Sequence, residues 1–384
     1  MAGRTAQPLG GFHPNPAHLH RGRRRALHPD EPTTRTDLPG HAAARTGQRR
    51  GIPDDPDGGR MTLRGKRILV TGGTGQVARP VVEALAADNE VCCLGRFGDP
   101  AARAELAELG VETVVWDMAT DDLAGVPRDF THVLHSAVWR GNGRDFEETA
   151  RVNAAGTARL MTHCATAEAF LYVSSGVVYN RADPAHRYRV GDPLGGQAPW
   201  LPTYPVAKLT AEGVVRGLAE ALALPTVIAR LNIVYGPYGN GGVPVILFDQ
   251  MRKGQSCAVP LEGQNYCNLL HTDDVVRQVP LLWAAAQSPA LVVNWGGDEE
   301  VGWTDLLTYM STLTGVPLRL ERSEFSRETA LFDPEERRAL IGDCTVDWPR
   351  GIAGTLAGLF AEYRDHIAEY IRDHEPEPVA RTPR

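Results

Sequence analysis

Eight residues, Thr71-Gly72-Gly73-Thr74-Gly75-Gln76-Val77-Ala78, narrow the choice of fold more than any other part of the chain. They follow a short apolar run, Arg67-Ile68-Leu69-Val70, that reads as a buried strand, and they lead into residues 77–87, which read as a helix. Strand, glycine turn and helix together form the setting in which such glycines seat a dinucleotide. Gly72 permits a tight turn off the strand, and Gly75 lets the backbone approach a pyrophosphate where a Cβ would collide. Free N–H groups at the helix start, from Thr74 through Val77, then face the phosphates, and the helix dipole favours their charge. Ala78 stands where a third glycine often sits. An ordinary glycine-rich turn is the plainer alternative.

From residue 67 the chain alternates strands (67–71, 90–94, 112–116, 132–135, 170–174, 226–231) with helices (77–87, 101–109, 146–167, 204–222). Continuous apolar strands in such an alternation imply a parallel sheet covered on both faces, wound right-handed on each side: an α/β, doubly wound Rossmann arrangement. Ligands then belong at the carboxyl ends of the strands. The expected organisation is an unstructured extension over 1–60, a dinucleotide-binding domain over 61–237 with an insertion at 180–203, a smaller substrate lobe over 238–374 from which 268–297 returns to the sheet, and a frayed tail from 375.

The extension is rich in Arg, Pro, Gly and His, with few large apolar residues, so it cannot offset its ordering entropy. Its cluster Arg21, Arg23, Arg24 and Arg25 reads either as an arm for nucleic acid or targeting, or as an upstream extension without a role before a start at Met61. A net charge of −7 argues against nucleic acid as a partner, and no apolar run is long enough for a membrane span. The six cysteines show no metal-ligand spacing and no CxxC pair, which suits a reduced, cytoplasmic chain without a bound metal.

Cofactor choice rests on the end of the second strand. The carboxylate that usually holds an NAD ribose is absent about twenty residues after Gly75; Gly95 stands there and Arg96 follows. A small residue plus an arginine suits a 2′-phosphate, so NADP is expected in preference to NAD. Arg96 as a solvated surface residue is the alternative. Asp117, followed by Met118, lies after the third strand and either meets the adenine or caps the next turn.

Tyr204-Pro205-Val206-Ala207-Lys208 opens the helix that runs to 222, and i, i+4 spacing puts Tyr204 and Lys208 on one face. A nearby ammonium is expected to lower the phenol's pKa, leaving Tyr204 able to act as acid or base on a hydroxyl or carbonyl. Phe170-Leu171-Tyr172-Val173-Ser174-Ser175 is a strand ending in hydroxyls, and Ser175 is placed to polarise the reacting oxygen.

Glycine turn, strand-end serine and Tyr-x-x-x-Lys in this order resemble the extended short-chain dehydrogenase/reductases, the NAD-dependent epimerase/dehydratase family, over about residues 66–297. The resemblance implies hydride transfer between C4 of a nicotinamide and a carbinol or carbonyl carbon, with Tyr204 moving the proton and Lys208 holding the nicotinamide ribose. It implies that Ser136 and Ala137, after the fourth strand, lie against the cofactor, that Asn153 stabilises the core of the active site, and that Ile233 and Val234 lie beyond the nicotinamide. Trp139, Gly176 and Arg230 are further candidates to meet a small-molecule substrate.

Departures from the family's patterns narrow the activity. Its sugar-nucleotide dehydratases carry Asp-Glu where Gly176 and Val177 stand here, so dehydration is not expected. Its UDP-sugar 4-epimerases have an asparagine where Ile233 stands and commonly an arginine where Cys267 stands; Asn232, one place off, is expected to point to the other face. Arg252 and Lys253 are the cations considered as substitutes at the diphosphate. The resulting expectation is a reductase or dehydrogenase acting on a non-nucleotide alcohol, ketone or aldehyde. A 4-epimerase that keeps NAD, or a non-catalytic dinucleotide-sensing module, are the alternatives. An apolar stripe over 352–371 reads as one helix, packed on the body or pairing two copies in a homodimer.

Overall fold

The computed structural model describes residues 63–180, 183–196 and 198–374. The expectations for residues 1–60 and for the tail from 375 lie outside the described residues.

Five strands come first: β1 (Arg67–Thr71), β2 (Glu90–Gly95), β3 (Glu112–Val115), β4 (His132–His135) and β5 (Ala169–Ser175). With Thr226–Leu231 and Leu291–Trp295 they form a seven-stranded sheet in the order Leu291–Trp295, Thr226–Leu231, β5, β4, β1, β2, β3. Every pair in it is parallel. The helices α1 (Ala78–Ala86), α2 (Pro100–Glu108), α3 (Phe146–His163) and α4 (Thr203–Ala221) lie in the crossovers β1 to β2, β2 to β3, β4 to β5 and β5 to Thr226–Leu231.

Neighbouring residues of one strand face opposite sides, so the central strands feed two cores. Ile68 and Val70 of β1 pack with Ala78, Val81 and Val82 of α1. Leu69, between them, packs on the other face with Val152 and Leu160 of α3 and Val215 of α4. Burial on both faces is why these strands read as unbroken apolar runs.

A third core gathers the later chain: Tyr235, Phe248, Trp303, Leu306, Met310, Ile352 and Leu356, all buried. The stripe over 352–371 is two helices rather than one, Trp348–Leu359 and Arg364–His374, broken at Phe360. Phe360 leaves the helical conformation (φ −127°, ψ 87°) and sets its ring 5.2 Å from Phe248, with the Arg252 guanidinium 4.5 Å away. Ile352, Leu356 and Ile367 are consumed inside this core. Residues 238–241 run over the glycine turn and into the helix Gly242–Arg252. No helix among the described residues is long and apolar enough to cross a membrane.

Candidate active site

The strand order reverses at β1, whose neighbours β2 and β4 lead their chains in opposite directions across the sheet. Crevices form at such points. Here the turn after β1 meets the loop after β4. Gly72 has φ +75°, and a Cβ on it would lie 3.1 Å from the Ala137 nitrogen. Gly73 faces inward, where a Cβ would come within 2.6 Å of Cys93 Sγ.

The floor below is polar and fully paired. The Thr71 hydroxyl lies 2.7 Å from His135 Nδ1, the Ala137 N–H donates to it at 3.1 Å, and His135 Nε2 lies 3.0 Å from the Thr157 hydroxyl. Burial, helped by the charge of Lys208, brings His135 down to about 3, so the imidazole is neutral.

Above this floor lies a cavity of about 1630 Å³. It is lined by Gly72, Thr74, Gly75, Gln76 and Val77 of the glycine turn, by Arg96, Asp117 and Met118 beyond β2 and β3, and by Ser136, Ala137 and Trp139 beyond β4. Ser175, Gly176, Tyr204, Lys208, Ile233 and Val234 complete the wall among the expected residues. Two of the expected residues stand outside it. Asn153 is buried and engages the backbone of Trp139 from both sides, its Oδ1 accepting from the N–H at 3.0 Å and its Nδ2 donating to the carbonyl at 2.8 Å. Arg230, a candidate substrate contact, is fully buried and bound to Glu212, Tyr179 and the Val190 carbonyl.

The cradle fits a dinucleotide. Val77 caps α1 without a side-chain hydrogen bond, so the first N–H groups of the helix have no side-chain partner, and Thr74 and Gly75 are exposed beside them. Arg96 is exposed on the same wall. Asp117 is partly committed to its own turn, with Oδ1 accepting from the Ala119 N–H at 2.9 Å.

At the other group of expected residues, Tyr204 sits in the first turn of α4, and its phenol hydrogen-bonds Ser175. Ser175 Oγ also accepts from the Val177 N–H at 3.4 Å, which orients it. Lys208 departs from expectation. Its Nζ donates to the Val173 carbonyl at 2.7 Å, is 5.9 Å from the Tyr204 ring, and is brought down to about 7 by burial and then by Arg140. Burial raises the Tyr204 pKa; the opposing influences are Arg140 and Ser175. The Arg140 guanidinium carbon stands 5.5 Å from the Tyr204 ring centroid.

Two other residues carry more than their sequence context signals. The Trp200 ring lies 5.6 Å from that of Tyr204, tilted 44° to it. Arg327 lines the cavity, lies 5.7 Å over the Trp303 ring, and has no carboxylate partner among the described residues. Arg252 and Lys253, the substitutes considered from sequence, are paired with Asp249 instead and stand outside the cavity wall. Asn232 and Ile233 both line the cavity, against the expectation of opposite faces, because the strand stops at Leu231 and a new one begins at Ile233.

The profile of the NAD dependent epimerase/dehydratase family matches residues 68–296. The chain belongs to that family. Among its curated relatives is the trifunctional UDP-glucose 4,6-dehydratase/UDP-4-keto-6-deoxy-D-glucose 3,5-epimerase/UDP-4-keto-L-rhamnose reductase of Arabidopsis thaliana, 27% identical over 77% of this chain and 47% of the relative. This chain thus spans about half the length of that relative. The dTDP-L-rhamnose 4-epimerase of Burkholderia thailandensis is 28% identical over 66% of this chain and 82% of its own. Among solved structures, UDP-glucuronic acid 4-epimerase from Bacillus cereus shares the fold with a TM-score of 0.64, at 20% identity, over 79% of this chain and 99% of its own. The glycine turn, β4 and the Tyr204–Lys208 helix all fall within the matched family region.

Proposed function

We propose that this family member interconverts epimers at a carbinol carbon of a nucleoside-diphosphate sugar, with Tyr204 as acid and base. The observation that carries the reading is Arg327: a partly buried guanidinium without a counter-charge among the described residues, on the wall of the same cavity that holds Tyr204. A buried diphosphate calls for such a donor. The cavity also exceeds the roughly 300–1,000 Å³ of a site for one small ligand, which suits a dinucleotide and an extended substrate together. The 4-epimerase among the relatives supports the same reading.

Gly72, Thr74, Gly75, Gln76 and Val77 would hold the dinucleotide's phosphates, Asp117 and Met118 its adenine, and Ser136, Ala137, Ile233 and Val234 its nicotinamide half. When bound, the nicotinamide supplies the redox half of the reaction, accepting and returning the hydride of the carbinol carbon. The chain's own part is the proton. Tyr204 Oη, ionised, takes the proton of the substrate hydroxyl; neutral, it gives the proton back. Ser175 holds the same oxygen in place. Gly176 and Val177 offer no acid to expel a neighbouring hydroxyl, so the reaction ends without dehydration.

Arg96 favours a second reading. Its exposed guanidinium has no partner among the described residues and lies where a 2′-phosphate would be met, which supports an NADP-dependent reductase with an exchanging cofactor. The cysteines, all unpaired thiols, suit a cytoplasmic setting for either.

The test begins with the dinucleotide extracted from the purified protein, followed by incubation with a panel of UDP- and dTDP-sugars. Retained NAD and conversion of one sugar to its epimer without net cofactor use, lost in Tyr204→Phe, is the expected result. An empty protein that consumes NADPH with a simple ketone and leaves every nucleotide sugar unchanged would replace it with the reductase.

A further inference from the structure

We propose that Trp200 is a specificity-determining residue: its indole is the platform on which the C–H face of the reacting pyranose ring rests. The inference rests on the reading of the cavity as a nucleotide-sugar site with Tyr204 at its reacting end.

The chain holds seven tryptophans. Trp116, Trp283, Trp295 and Trp303 are buried in the three cores, and Trp139 and Trp348 are packed against them. Trp200 belongs to no core. It is 64% exposed, yet it stands on the wall of the cavity beside Pro199. Its ring lies 5.6 Å from the Tyr204 ring and is tilted 44° to it, so the phenol does not cover the indole face. A large apolar surface left open inside a ligand cavity gains from being covered when the ligand arrives.

Its placement is fixed by backbone bonds on both sides. The Leu201 N–H donates to the Ala198 carbonyl at 2.9 Å, closing a turn around Trp200, and the Tyr204 N–H donates to the Leu201 carbonyl at 2.9 Å. The Thr203 hydroxyl then ties this segment to the Arg140 carbonyl at 2.9 Å. The indole is therefore held close to the first turn of α4, which carries the phenol.

The surroundings match a pyranose. Such a ring has C–H groups on a face and hydroxyls around its rim, so it calls for an aromatic platform with polar groups at the edge. Ser175 and Tyr204 meet one hydroxyl, and the Arg140 guanidinium carbon stands 5.5 Å from the Tyr204 ring centroid on the same wall. Arg327 is left for the diphosphate.

The experiment is calorimetric titration of the full chain, with NAD present, using UDP-glucose against UDP and dTDP-glucose against dTDP. Each pair differs only in the sugar. Trp200→Ala is expected to weaken the nucleotide sugar roughly tenfold to fiftyfold and the free diphosphate by less than about twofold. Trp200→Phe, which keeps a ring, should restore most of that loss. The thermal midpoint of Trp200→Ala should hold, because the indole lies outside the cores. An unchanged affinity for the nucleotide sugar in Trp200→Ala overturns the proposal. So does an equal loss for sugar and free diphosphate, which would assign the indole to the nucleotide end. Failure of the underlying reading is distinct: the unsubstituted chain would then bind none of the four ligands, and both conclusions would fall.

Discussion

Arg230 and Glu212 form a two-point ion pair inside the protein, Nε donating to Oε1 at 3.0 Å and Nη2 to Oε2 at 2.8 Å. Ser174 donates to the same carboxylate at 2.5 Å, and Arg230 also reaches Tyr179, which is bonded to Asn294. The pair ties α4, which carries Tyr204 and Lys208, to the strand Thr226–Leu231. Removing one partner leaves a buried charge unanswered. Glu212→Gln is expected to cost about 3–5 kcal/mol, read as a fall in the denaturant midpoint. Replacing both residues with methionine should recover much of that loss, because the stranded charge goes with its partner.

His135 makes the fold sensitive to acid. Its folded pKa is about 3, below the ordinary 6.5 that the unfolded chain keeps. Between those values the unfolded chain binds the extra proton, so stability rises with pH across the window and is lost as pH falls towards 3. Unfolding midpoints measured from about pH 4 to about pH 7 should show this slope, and His135→Gln should flatten it.

Gly73 has no space for a methyl group. Its Cβ would lie 2.6 Å from Cys93 Sγ and 3.3 Å from Cys93 Cβ. Gly73→Ala should therefore cost about 1–3 kcal/mol and displace the turn that faces the phosphates. Thermal unfolding and calorimetric titration with a dinucleotide would show both losses together. Adding Cys93→Ala should return part of each.

Arg327→Met separates binding from chemistry. If the guanidinium meets a diphosphate, KM for the nucleotide sugar should rise on the order of tenfold to a hundredfold with kcat little changed. The thermal midpoint should hold, since the side chain has no ion-pair partner among the described residues to strand. A KM that stays in place would remove the support Arg327 lends to a nucleotide substrate.

What the sequence made legible was local. The strand, glycine turn and helix around Gly72 are specified by neighbouring residues, as is the i, i+4 relation of Tyr204 to Lys208. The direction taken by Lys208 depends on the Val173 carbonyl, 35 residues earlier, and no spacing announces it. Arg327 matters because no carboxylate among the described residues meets it, and that is visible only once segments distant along the chain are in place. Arg230 misled for the same reason in reverse: it sits near a strand end as a binding residue would, yet Glu212 takes its charge from below the cavity. Phe360 broke an apparent helix because its ring fits beside Phe248, a contact made across 112 residues of chain.

Gln76 is shared between two walls of the crevice. Its Nε2 donates to the Val234 carbonyl at 3.3 Å, and a Cβ on Gly239 or Gly242 would lie 3.3 Å or 2.7 Å from its atoms. The glycine turn and the loop into Gly242–Arg252 are therefore packed as one unit. A larger residue at 239 or 242 is a change to the dinucleotide seat, although it lies more than 160 residues away along the chain. Lineages that vary this loop are expected to vary position 76 with it.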